Sequence, residues 1–174
     1  LFPRYSGMLD KINKNALYYK HIISAFRNTK TFEDRYDMYE WVNNDLMKKQ
    51  SIDYLEFGVW EGESIIKWAL LNRNKQSRFY GFDSFEGLPE DWIKMSTGQF
   101  DMGGQAPVVD DERVQFVKGL FQDSLPSFLE KFEPKSQLIT HIDADLYSSA
   151  LFCLTQLDKI IKPGAIIMFD EFGA

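Results

Sequence analysis

Two strand-like runs in the second half of the chain end in paired acids: Leu138–Ile142 leads into Asp143-Ala144-Asp145, and Ala165–Phe169 leads into Asp170-Glu171. Carboxylates a few ångströms apart repel and raise one another's pKa. A shared divalent cation removes that cost. Carboxylate ligands without a Cys or His cluster suit a hard ion, Mg²⁺ first, with Mn²⁺ and Ca²⁺ behind it. The metal is therefore expected on Asp145, Asp170 and Glu171. The period of two in a strand puts Asp143 and Asp145 on one side, so Asp143 can turn toward a cofactor while Asp145 faces the substrate opening. In the bland alternative these acids start loops and cap helices at the solvent edge.

A second candidate lies earlier. Tyr54-Leu55-Glu56-Phe57 runs into Gly58-Val59-Trp60-Glu61-Gly62-Glu63-Ser64, followed by an amphipathic stretch with Ile65, Ile66, Trp68, Ala69 and Leu70. Strand, glycine turn and helix form the first half of a nucleotide-binding α/β unit. Dinucleotide sites use G-x-G-x-x-G, which places a diphosphate on the helix N-terminus. Here the pattern is acid-x-Gly-x-x-x-Gly, and the acid would repel a diphosphate. It suits a cationic group such as the amino group or sulfonium of S-adenosylmethionine (SAM). Asp83 ends the next strand 25 residues after Gly58, near the offset at which such folds present an acid to ribose hydroxyls. After a third strand, Asp123 or Ser124 either meets an adenine edge or caps the following helix.

The elements that must position these residues alternate. Strands are expected at 52–58, 78–83, 114–119, 137–144 and 164–170, and helices near 64–72, 124–131 and 148–160. Such alternation predicts a doubly wound parallel sheet with helices on both faces and a ligand crevice beyond the carboxyl ends of the strands. Residues 1–50 read as a helical segment and 51–174 as the ligand-binding domain. The apolar stripes of residues 16–26 and 36–47 can cap the sheet or build the interface of a homo-oligomer. The 174 residues, 44% hydrophobic, suffice for one compact core. A net charge of −6 without a basic stripe argues against nucleic acid. No run approaches the roughly 20 apolar residues of a membrane span, and no signal-peptide pattern opens the chain. It therefore reads as soluble and cytoplasmic. The lone Cys153 excludes an internal disulfide and reads as a small buried hydrophobe.

Taken in order, these motifs carry a resemblance. Tyr54–Gly62, Tyr80-Gly81-Phe82-Asp83-Ser84-Phe85-Glu86-Gly87-Leu88-Pro89, Lys118–Pro126, His141–Tyr147, Pro163-Gly164 and Asp170-Glu171 are similar to the macrocin O-methyltransferase (TylF/MycF-type) family of class I SAM-dependent methyltransferases, over roughly residues 35 to 174. The resemblance implies a Rossmann-like sheet in which Glu56, Gly58, Gly62 and Ser64 line the methionine end of SAM. It implies that Asp83 holds the ribose; Ser84, Phe85, Asp123 and Asp143, which stand at or just beyond the strand ends, are expected among the cofactor-binding residues as well. Mg²⁺ would be held by Asp145, Asp170 and position 171, where this chain has Glu and the family a second Asp. The family's sheet continues with a sixth and a seventh strand, whereas this chain stops at Ala174 and begins at Leu1. A fragment lacking those strands is expected.

The expected chemistry is Mg²⁺-assisted transfer of a methyl group from SAM to a hydroxyl of a sugar or polyhydroxylated natural product, Asp145 being the nearest catalytic acceptor for the proton. His141 reads as a satisfied core residue. The irregular segment from Glu86 to Arg113, with Gly98, Gly103 and Gly104, reads as a lid in which Trp92, Phe100 and Met102 cover the adenine or the acceptor. Competing readings are a metal-dependent glycosyltransferase using Asp143-Ala144-Asp145, an NAD-dependent oxidoreductase disfavoured by glycine spacing, and a truncated, non-catalytic SAM-binding module.

Overall fold

The computed structural model of the chain describes residues 16, 17, 20, 29–91 and 95–170. The chain divides into two compact units, residues 1–35 and 36–174. The stripe expected over residues 16–26 falls mostly outside the described residues, as do His21, Trp92 and Glu171.

In the second unit the order is α1 (Arg35–Trp41), a π-helical turn (Val42–Leu46), β1 (Ile52–Phe57), α2 (Glu63–Leu71), β2 (Arg78–Asp83), β3 (Val114–Lys118), α3 (Phe121–Leu129), β4 (Gln137–Ile142), α4 (Tyr147–Leu157) and β5 (Ile166–Phe169). The strands form one parallel sheet in the order β3-β2-β1-β4-β5. The order reverses between β1 and β4, where a doubly wound fold opens its crevice.

All six residues of the central strand β1 are buried, as expected of a parallel strand covered on both faces. Alternation sorts them. Ile52 and Tyr54 pack with Phe79, Ile139 and Met168 under α1 and α2 through Tyr39, Val42, Ile65, Trp68 and Ala69. Leu55 and Phe57 pack with Tyr80, Phe82, Leu138 and Ile142 under α3 and α4 through Leu125, Cys153 and Leu157. Tyr36, Met38 and Trp41 of α1 pack against this first layer's core. Burial pushes the Cys153 thiol up to about 12, so it is an inert apolar filler.

The buried charge at the amino end of the sheet is structural. Asp53 accepts from Arg78 Nε at 2.7 Å and from the amides of Lys135 and Ser136 at 2.6 and 2.9 Å. Arg113 closes α2 by donating to Ala69 O at 2.8 Å and Asn72 O at 2.6 Å, carbonyls that the helix end leaves open.

Several boundaries differ from the sequence reading, α4 for instance ending at Leu157 and not near 160, and three of the differences have identifiable reasons. β4 stops at Ile142, not 144, because Asp145 adopts φ +50° and the Leu146 amide turns back to Ala144 O. The alternation expected to carry Asp143 and Asp145 on one side therefore does not extend to Asp145. β5 is shortened to Ile166–Phe169, its start set by the Pro163-Gly164 turn. α3 starts at Phe121, three residues early, after extended Leu120 (φ −59°, ψ 145°), so Asp123 and Ser124 lie in its first turn and neither is its N-cap.

Candidate active site

The carboxyl edge of the sheet gathers both groups of residues singled out from the sequence. Gly58 follows β1 with φ +93°, and a Cβ there would lie 1.8 Å from the carbonyl oxygen of Asp143. The glycine is required by close approach to the end of β4, and the turn after β1 and the acids after β4 share one edge. Gly62 (φ +81°) then starts α2.

Asp83 ties the glycine turn to the second strand. Its Oδ2 accepts from the amides of Val59 at 2.7 Å and Trp60 at 2.9 Å, and its Oδ1 accepts from Phe85 at 2.8 Å. Charge-assisted bonds of this length are among the stronger hydrogen bonds in proteins. The carboxylate expected at a ribose thus also holds the turn around it. Ser84 and Phe85 shape the same corner: Ser84 Oγ accepts from Glu86 N at 3.1 Å, and the Phe85 side chain is buried in the core. Asp123 is exposed in the first turn of α3.

Glu56 and Ser64 point into the layer beneath α1 and α2. Glu56 is 1% exposed and its Oε2 accepts from Tyr54 Oη at 2.5 Å, with His141 Nδ1 3.6 Å away. Ser64 Oγ lies 3.3 Å from Tyr39 Oη. Burial, then the charge of Glu56, holds the Tyr54 phenol well above its ordinary pKa. For His141 burial favours the neutral ring, but the hydrogen bond and charge of Glu56 outweigh it and raise the pKa. This Tyr54–Glu56–His141 network was not anticipated, although His141 is the partnered core residue that its place in a strand suggested.

The acids meet where β4 and β5 end. Asp143 N donates to Phe57 O at 2.9 Å and Asp170 N to Ile142 O at 3.2 Å, so each continues its strand by one residue. Ligand atoms of His141, Asp143 and Asp170 fall within 4.8 Å of one another. Asp143 is pushed up to about 7, first by burial and next by Asp170. Asp145 stands in the following turn.

A pH dependence follows from Asp143. Without a cation the native state keeps a proton that the unfolded chain releases near pH 4, so the native state binds more protons between about pH 4 and about 7. Stability must then fall as pH rises through that window. Asp111, held low by Arg113, titrates below it. The melting temperature of the metal-free protein is expected to drop from pH 5 to pH 8. The raised pKa of His141 adds a fall of the same sign above its ordinary value, so the Asp143→Asn variant should reduce the slope, most clearly below that value; an unchanged slope would remove Asp143 as a source.

A doubly wound parallel sheet with a glycine turn and clustered carboxylates on its carboxyl edge is the architecture of the class I methyltransferases. The sequence profile of a family described as a methyltransferase domain matches residues 55–172, and the chain belongs to that family. A curated relative, the 8-demethyl-8-(2,3-dimethoxy-alpha-L-rhamnosyl)-tetracenomycin-C 4'-O-methyltransferase of Streptomyces olivaceus, is 29% identical over 143 residues, which cover 70% of this chain and 53% of the relative. The chain thus spans about half the length of that enzyme. Among solved structures, the O-methyltransferase NovP is 21% identical with a TM-score of 0.58, covering 78% of this chain and 64% of NovP. A TDP-rhamnose 3'-O-methyltransferase of calicheamicin biosynthesis is 20% identical with a TM-score of 0.53, covering 88% of this chain and 76% of that enzyme. These two structures share the fold. Among the described residues no helix is long and apolar enough to cross a membrane.

Proposed function

We propose that this chain carries the cofactor and metal half of a macrocin-type O-methyltransferase, which moves a methyl group from SAM to a hydroxyl of a sugar-like small molecule with Mg²⁺ assistance. The observation that carries the reading is the meeting of Asp143 and Asp170 beside the Gly58 turn, where burial and mutual repulsion leave Asp143 protonated near neutrality. A hard cation would favour the ionised form of these carboxyls, and an oxygen-rich donor set fits Mg²⁺ better than a soft metal. The ligands proposed are Asp145 and Asp170, with Glu171 beyond the described residues. A bound divalent cation would supply Lewis-acid charge that lowers the pKa of a coordinated hydroxyl.

The chain's own residues do the rest. The Gly58–Gly62 turn receives the methionine end of SAM, with Glu56 behind it, and Asp83 presents the remaining lone pair of its Oδ1 to the ribose. Asp145, in the turn between β4 and α4, takes the proton of the attacking hydroxyl. The substrates for which the two relatives are named, a rhamnosyl tetracenomycin and TDP-rhamnose, support a sugar-like acceptor. The test is turnover and SAM binding with Mg²⁺ varied, in Asp145→Ala and Asp170→Ala. Each variant is expected to keep SAM affinity and to lose Mg²⁺-dependent turnover by at least about tenfold. Unchanged metal dependence in both removes the metal from the mechanism.

A further inference from the structure

Trp60 stands apart at the carboxyl edge. Its side chain is 46% exposed, whereas Trp68 is fully buried. Its backbone has φ +48°, a conformation unfavourable for a bulky residue. Among the described non-glycine residues with positive φ, Lys48 and Lys49 lie before β1, whereas Trp60, Phe85, Phe100 and Asp145 lie beyond the carboxyl ends of strands or in the strap packed there. Such strain concentrates where ligands bind.

Trp60 is also fixed in place. Its amide is on Asp83 at 2.9 Å, and its ring meets Phe100 edge-on with centroids 5.4 Å apart. Phe100 rides on a strap pinned to the segment after β2: Leu88 N donates to Gln99 O at 2.9 Å, Met102 N to Phe85 O at 3.1 Å and Gly104 N to the same oxygen at 2.7 Å. Further along, Pro107 lies against Gly62, its Cγ 3.0 Å from where a Cβ would be.

We propose that Trp60, braced by Phe100, is an aromatic wall that faces the sulfonium of the cofactor. The inference rests on the SAM reading above. In that reading the glycine turn takes the methionine end and Asp83 the ribose, and the sulfonium sulfur is the atom that joins the methionine chain to the ribose. Val59 and Trp60 are the turn residues whose amides reach Asp83, and of the two only Trp60 is exposed, 46% against 6%, so Trp60 is the one that can present its ring at that junction. An indole face attracts a cation through its quadrupole, more strongly where water is excluded. Methyl transfer leaves the sulfur neutral in S-adenosylhomocysteine (SAH), so the wall favours the methyl donor over the spent product.

Calorimetry with SAM and with SAH on the wild-type chain, Trp60→Ala, Trp60→Phe and Phe100→Ala tests this, with near-ultraviolet circular dichroism confirming the fold of each. A half-exposed ring can be removed without unfolding the core. Trp60→Ala is expected to weaken SAM about tenfold and SAH by clearly less, with Phe100→Ala intermediate and Trp60→Phe retaining most of the preference for SAM. The inference is overturned if Trp60→Ala binds SAM as the wild type does, or loses SAM and SAH by the same factor. A wild-type chain that binds neither ligand sinks the cofactor reading itself, and this inference with it.

Discussion

Gly58→Ala is expected to cost more than about 4 kcal/mol and to leave no measurable affinity for SAM. Two penalties combine. The φ of +93° costs an L-residue about 1 kcal/mol or more. The added Cβ also falls 1.8 Å from the Asp143 carbonyl oxygen. That oxygen cannot yield cheaply, because the Asp143 amide is bonded to Phe57 O at 2.9 Å and the strands are buried on both faces. Gly98→Ala is the control: its φ of +83° carries the same backbone penalty, but nothing lies within 4 Å of its Cβ, so it should cost only about 1 kcal/mol. Urea unfolding of the two variants measures the difference. Equal, small losses would mean that β1 and β4 do not close on one another as described.

Asp83→Asn is the second large effect, expected to cost about 2 kcal/mol and to weaken SAM binding at least about tenfold. The carboxylate takes two amides on Oδ2 and one on Oδ1. An asparagine amide cannot serve both sides. If its oxygen faces Val59 and Trp60, its NH₂ confronts the Phe85 N–H, and the flipped rotamer leaves two donors opposed instead of one. The charge that strengthens all three bonds is lost as well. Asp83→Ala should cost more, about 3 kcal/mol. Urea unfolding paired with SAH calorimetry checks both values. An Asn variant with wild-type stability and affinity would show that the carboxylate does not organise the turn.

Much of the site was legible because its residues stand at strand ends, where a period-two pattern breaks into glycine or acid. Gly58, Asp83, Asp143 and Asp170 all lie at or just past strand ends, whereas β1 is buried on both faces despite Asp53 and Glu56, whose carboxylates find partners at Arg78 and Tyr54. What escaped prediction depends on contacts between distant segments. Tyr54 and His141 are 87 positions apart in the chain, and nothing local marks them as partners across β1 and β4. β4 read from composition alone runs on through Ala144, whereas the strand ends at Ile142 and Asp145 itself takes a left-handed φ of +50° in the turn beyond it. The start of α3 was misread because Asp123-Ser124 resembles a capping pair, whereas extended Leu120 after the turn at Gly119 begins the helix.

The clasp at Asp83 bears on how freely this loop can be moved between proteins. The amides of Val59 and Trp60 take their acceptor from a residue 24 and 23 positions downstream, so the shape of the loop is borrowed from the adjoining strand. Grafted alone onto another scaffold, residues 56–64 would bring the glycines but leave that shape behind. The transferable unit runs from β1 through Phe85, and any chimera that exchanges less than this carries the spelling of the loop without its conformation.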